Sequence, residues 1–343
     1  MKRNFIVMGL ILTLALISLL IGSSITFAEQ PKILRLVTDW PAGSNTELVK
    51  AVFIDEVAKR TQGRIKIEMY PGSQLVASDN HVDAISSGMV EMAVTQLSEG
   101  WPTVVPSLTI LGISLFDNSA HAFRALDGPL GKILTGELER KTNTKVLNWT
   151  TAGDIDVMGC TPKLIKTPDD LKGLKFRVSS NSDAASCKAL GGTPVIIAGA
   201  EMYMALQRGT VDGIFITSTR GVNVSKSYEV CKNYTRIPLV VGAQFAFVIN
   251  LDAWEDLPKD IQEIFIAVSA EAREAMLAKL QAGGDKVWKK KMATYPGVKI
   301  YYVPENELGI WKDKMLPARI ELLEKAVSKD RAKEMLDWLA KAR

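Results

Sequence analysis

Apolar positions recur along this chain in two rhythms, every second residue in some stretches and every third or fourth in others. Ile33 to Thr38 reads as a strand, and Trp40-Pro41-Ala42-Gly43-Ser44 breaks it. Leu48, Val52, Phe53, Val57 and Ala58 then fall at helical spacing and give one apolar face. Ile65, Ile67 and Met69 alternate with charged residues as in a half-buried strand, which Pro71-Gly72 closes. Strand, helix and strand in this order predict a mostly parallel sheet with helices on its faces.

An internal repeat extends the picture to two similar units. DAISSGMVEMAVT (83–95) aligns without a gap to MALQRGTVDGIFI (204–216), matching Ala84 with Ala205, Ile85 with Leu206, Gly88 with Gly209, Val90 with Val211 and the acidic pair Glu91 and Asp212. The shared frame predicts a helix stopped by Gly and a tight turn into a buried strand. A polar-alternating strand precedes each copy, Arg64 to Met69 and Leu174 to Val178, and a strand end rich in hydroxyls follows each, Thr95-Gln96-Leu97-Ser98 and Thr217-Ser218-Thr219. Two α/β lobes with strand ends facing each other enclose a cleft of the kind in which open-sheet proteins bind ligands. Such clefts close by hinge bending.

The N-terminus adds a destination. Lys2 and Arg3 precede an apolar run from Phe5 to Ile21, and small residues lead to Ala28, the pattern of a secretory signal peptide cleaved after residue 28. A membrane anchor is the competing reading, but the run ends in Gly22-Ser23-Ser24 without a basic stop-transfer flank. No Cys lies near the cleavage point, which argues against a lipid anchor. The expected organisation is a leader at 1–28, a first lobe at 29–150 completed by part of the C-terminal segment, a second lobe at 151–250, and long helices at 251–343 spanning both.

Composition narrows the chemistry. The 343 residues carry 42 Lys plus Arg against 38 Asp plus Glu, a net charge of +4 that is too small and too evenly spread for a nucleic-acid binder. Loss of the leader removes two basic residues and leaves +2. With His81 and His121 as the only histidines and no CxxC pair, zinc ribbons, His-rich metal centres and HExxH proteases are excluded, and no cofactor or metal is expected. Cys160, Cys187 and Cys231 leave open one disulfide in any of three pairings or three free thiols. A Cys nucleophile would need an activating context that none of them has.

Four stretches then carry a resemblance. TPDDLKGLKFRV (167–178), GGTPVIIAGAEMYMALQRGTVDG (191–213), IKIEMYPGSQL (65–75) and FVINLDAWEDLP (247–258) resemble, in matching order, the extracytoplasmic solute-binding subunits of tripartite ATP-independent periplasmic (TRAP) transporters, the DctP type. The resemblance implies a two-lobed periplasmic binding protein, type II-like, with a hinge and a long helix between the lobes, for which Lys259 to Lys291 is the candidate. It also implies a periplasmic location, no catalysis, capture of a small organic anion, either carboxylate or sulfonate, and delivery to a small and a large integral membrane subunit. An exported enzyme or a sensor-associated binder on the same scaffold is the alternative, since fold alone does not fix function.

The resemblance places Arg177, at the end of LKFRV, where the family holds an Arg that pairs with the ligand's acid group. A guanidinium suits that role because its planar fork of donors matches a carboxylate two-to-two. By the same alignment Gln96, Ser180, Phe215 and Gln244 are implied as ligand contacts, and the direction of the first strand puts Asp39 and Trp40, which terminate it, at the cleft mouth. The chain departs from the family pattern twice. No Arg lies between Trp149 and Thr161, where Asp154 and Asp156 stand instead, and Phe215 replaces an acidic contact. One Arg implies a single-headed anion, Phe215 with Trp149 implies an apolar or tightly enclosed body, and Asp154 or Asp156 is a candidate for a ligand hydroxyl or amine.

Overall fold

The computed structural model describes residues 30–112, 115–153, 155–241, 243–287 and 294–343, without the side chains of 220, 240 and 281–287. The expected leader, Asp154 and the last residues of the Lys259 to Lys291 segment lie outside the described residues. Ile33–Arg343 forms one compact unit, and none of the described helices is long and apolar enough to cross a membrane.

Among the described residues, eleven strands make two sheets. The first is ordered β2 (Ile65–Tyr70), β1 (Lys32–Thr38), β3 (Met92–Gln96), β10 (Phe245–Asn250), β4 (Thr144–Thr150). The second is ordered β11 (Lys299–Tyr302), β9 (Asn233–Val240), β5 (Ile155–Cys160), β8 (Gly213–Thr217), β6 (Lys175–Val178), β7 (Thr193–Ile196). The chain passes between the sheets after β4 and again after β9, so two short crossings join the lobes.

The second crossing corrects the expected lobe boundary. β10 does not belong to the second lobe: it lies in the first sheet, antiparallel to both β3 and β4. Its residues Phe245, Phe247 and Ile249 join one core cluster and Ala246 and Val248 the other, so both its faces are covered. A continuous apolar run is what that double burial requires.

The repeat is structural as well as sequential. In each copy a short helix, His81–Ser86 or Met202–Gln207, ends at a glycine in the left-handed region, Gly88 at φ 72° and Gly209 at φ 68°. The acidic residue that follows then holds the neighbouring strand. The Arg35 amide donates to Glu91 Oε2 at 2.7 Å, and the Lys175 amide donates to Asp212 Oδ2 at 2.8 Å. Each pair sits one residue before the parallel register Leu36 to Met92 in the first sheet and Phe176 to Gly213 in the second. The same turn therefore fixes β1 on β3 and β6 on β8, and the far ends of these strands carry the residues described below.

Helices cover both faces of the first sheet. Lys259–Val287 lays Ile261, Phe265, Val268, Ala272 and Met276 on one face, and Pro129–Thr142 with the C-terminal Lys329–Lys341 covers the other. The long helix also touches the Thr219–Val224 helix of the second lobe. Leu308–Val327 spans the lobes too, with Trp311 and Met315 in a second-lobe cluster and Leu323 in a first-lobe one. The C-terminal segment thus completes the first lobe and bridges to the second.

Asp156 sits on β5, where its carboxylate accepts from Arg236 Nε at 2.8 Å and also pairs with Arg236 Nη2. Asp156→Asn removes the charge from a pair that is largely withdrawn from water, and about 2 kcal/mol of stability is expected to go with it, read by urea unfolding. An unfolding midpoint equal to wild type would show that the pair adds nothing to the second sheet.

Candidate functional site

A cavity of about 480 Å³ opens where the strand ends of the two sheets meet. From the first lobe it receives Asp39 and Trp40 after β1, Gln96 at the end of β3, and Gln244 with Phe245 at the start of β10. From the second it receives Arg177 on β6 and Ile216 and Thr217 on β8. Apart from the antiparallel β10, which enters by its amino end, these are the carboxyl ends of the parallel strands, where open sheets present their ligands to backbone and side-chain groups.

Arg177 is the cation of this cavity among the described lining residues, and only 7% of it is exposed. Its Nε donates to the Ile197 carbonyl at 2.8 Å, which fixes the plane of the guanidinium. Its Nη2 comes within 3.9 Å of the position a Cβ on Gly199 would take, so the lack of a side chain there keeps the approach to the fork open. Burial lowers its pKa, while the negative fields of Glu99 and Asp183 push it back up.

On the opposite wall the two glutamines are linked. Gln96 Nε2 donates to Ser98 Oγ at 3.0 Å, and Ser98 Oγ donates to Gln244 Oε1 at 3.2 Å. Trp40 packs on Phe245 with ring centroids 4.9 Å apart and, with Ile216, supplies the apolar surface. That surface was expected from Phe215 and Trp149. Phe215 instead points to the helix-covered face of the second sheet and is fully buried there, and Trp149 is buried in the first-lobe core. Ser180 is also taken up elsewhere: its hydroxyl accepts from the Asp183 amide at 3.1 Å as the cap of the Asn181–Ala189 helix. Asp156 is held by Arg236, as described above.

The cavity also holds groups that sequence reasoning passed over: Asn45, Glu99 and Asp183. Glu99 follows β3 by three residues, and burial together with the nearby Asp39 raises its pKa to about 8. Burial likewise raises Asp39 to about 7. Asp183 stands in the first turn of the Asn181–Ala189 helix and accepts from Ser179 Oγ at 2.7 Å. A signal for Glu99 was present in Ser98-Glu99-Gly100, where Gly100 at φ 70° turns the chain directly after the acid.

The remaining reactive side chains are engaged away from the cavity. His81 Nδ1 lies 3.0 Å from Thr95 Oγ1, and burial lowers its pKa to about 4. His121 accepts from the Asp117 amide at Nδ1, which leaves Nε2–H to donate to the Leu339 carbonyl at 2.9 Å. The three cysteines are free and buried, and burial raises the thiols of Cys160 to about 11 and of Cys187 and Cys231 to about 12.

Comparison with known proteins agrees with this architecture. The chain is 26% identical over 316 residues to the C4-dicarboxylate-binding periplasmic protein DctP of Rhodobacter capsulatus, covering 90% of this chain and 91% of that one. It is 30% identical over 230 residues to the 2,3-diketo-L-gulonate-binding periplasmic protein YiaO of Escherichia coli, covering 64% of this chain and 66% of the relative. A TRAP periplasmic solute-binding protein of Chromohalobacter salexigens, solved with bound D-glucuronate, superposes with a TM-score of 0.79 at 23% identity, covering 90% of this chain and all of that one. Residues 36–325 match the family described as bacterial extracellular solute-binding protein, family 7, and the chain belongs to that DctP family.

Proposed function

We propose that this chain captures a small organic acid between its lobes, with Arg177 holding the acid group, and delivers it to the small and large membrane subunits of a TRAP transporter. The observation that carries this reading is a buried guanidinium, anchored through Nε, at the strand end of a cavity sized for a small molecule. Gln96 and Gln244 orient the bound solute through their shared Ser98, and Trp40 with Phe245 packs against its body. Closure of the lobes around the solute would present the form that the membrane subunits recognise. Export through the leader at 1–28 to the periplasm, and a binding role without turnover, belong to the same reading.

A thermal-shift screen of carboxylates and sulfonates tests it. At a concentration about 100 times its dissociation constant, a true ligand stabilises the native state by about 2.7 kcal/mol, and the melting temperature rises with ligand concentration. A compound consumed on incubation, followed by mass spectrometry, would instead favour an exported enzyme.

A further inference from the structure

The charges lining the cavity do not balance for a purely anionic solute. Asp39, Glu99 and Asp183 face one cation, Arg177, among the described lining residues. The charge of Asp183 acts on two guanidinium groups, Arg177 and the buried Arg319. Glu99 shares the field of Arg177 and meets Asp39 as a like charge. Tyr203, the remaining titratable group on the lining, donates its hydroxyl to Glu229 at 3.2 Å. Once Asp39 and Glu99 are ionised, above their raised values of about 7 and about 8, an acid group on Arg177 would therefore add a further negative charge beside theirs.

Two oxygens in the same place lack partners. Asp39 Oδ1 and Asn45 Oδ1 are both buried, and neither receives a hydrogen bond. Asn45 is only 5% exposed, and its amide is oriented by Nδ2, which donates to the Ala152 carbonyl at 3.5 Å, so Oδ1 is left as an acceptor. A buried acceptor without a donor costs roughly 1–3 kcal/mol, and more when it is charged. A solute group that donates hydrogen bonds and carries positive charge answers both the orphaned acceptors and the charge excess. A hydroxyl answers only the first.

Resting on the reading of Arg177 as the acid-group anchor, we infer that the solute also carries a protonated nitrogen, seated against Asp39 with Glu99 and the Asn45 carbonyl as further acceptors. The substrate class is then the amino-acid-like zwitterion, and Asp39 and Glu99 are the residues that select it over a hydroxy acid. The acidity of the two carboxyls gives the inference a pH signature. Burial raises both, and an ammonium partner requires them ionised, so binding releases protons. Affinity for a zwitterion is thus lost as pH falls through the raised values. A nitrogen-free anion, repelled by the ionised forms, behaves oppositely.

The test is a binding screen by thermal shift and calorimetry. Its probes are the common α-amino acids and the ω-amino acids up to ε-aminocaproate, each beside its hydroxy-acid counterpart, together with D-glucuronate and D-galactonate. The expected result is binding of an amino compound in preference to its hydroxy counterpart, with affinity falling by about 100-fold or more from about pH 8.5 to about pH 6. Asp39→Asn and, separately, Glu99→Gln each reduce amino-compound affinity by more than about ten-fold and shrink the amino-to-hydroxy preference. Binding of nitrogen-free acids but of no amino compound overturns the inference and leaves the proposed function standing. Binding of neither class overturns the inference and counts against the proposed function as well.

Discussion

Arg177→Ala is expected to weaken binding of the cognate solute by more than about 100-fold, and to abolish the ligand-induced rise in melting temperature at concentrations that saturate wild type. The size of the effect follows from where the guanidinium sits. Around a guanidinium only 7% exposed, charge-assisted hydrogen bonds to an acid group are stronger than on a surface, and removing the cation leaves the ligand's charge in the field of Glu99 and Asp183. Arg177→Lys keeps the charge but not the Nε bond to Ile197 or the planar fork, so it should recover only part of the affinity. The unliganded fold is expected to persist, because β6 is held by backbone pairing to β7 and β8 rather than by this side chain. Circular dichroism of the unliganded variant checks that point, and calorimetry checks the loss of binding. Undiminished affinity in a folded Arg177→Ala protein would remove the residue from its role.

Much of this arrangement was legible in the chain itself, and what was missed has a common cause. The internal repeat placed β3 and β8 correctly because helix, glycine stop and acidic turn are local features, and Glu91 and Asp212 do the same job in both sheets. β10 was assigned to the wrong lobe because an antiparallel strand inserted between β3 and β4 is a long-range event with no local mark. The same distinction separates the site residues. Asp39 and Trp40 reach the cavity as the strand direction predicts, and Gln96, Arg177 and Gln244, placed by the family pattern, line it at or beside strand ends. Phe215 is placed in the cleft by the family pattern, whereas the sheet decides which face a strand side chain takes, and that face belongs to the core. Glu99 lies in the turn after β3, and Asn45 and Asp183 in the first turns of the helices that follow β1 and β6, where the connection rather than strand periodicity aims the side chain.

Gly213→Ala should be among the most damaging single substitutions in the chain, costing about 3 kcal/mol or more of stability. Gly213 opens β8 between β5 and β6, and a Cβ there would stand 2.3 Å from the Gly159 carbonyl oxygen and 2.8 Å from the Phe176 ring. One obstacle is backbone of the neighbouring strand and the other a fully buried aromatic, so neither can yield without shifting the sheet. The shift would reach the cavity, because β8 leads to Ile216 and Thr217 on its lining and pairs Ile214 with Arg177. Reduced solute affinity in the fraction that still folds is therefore expected alongside the lower unfolding midpoint. Gly209→Ala, four residues earlier in the same repeat copy, is the control. A Cβ there meets nothing within 4 Å and pays only for its φ of 68°, about 1–2 kcal/mol. Urea unfolding of both variants should rank Gly213→Ala well below Gly209→Ala, and the reverse order would contradict the close packing of β8 against β5 on which the second wall of the cavity depends.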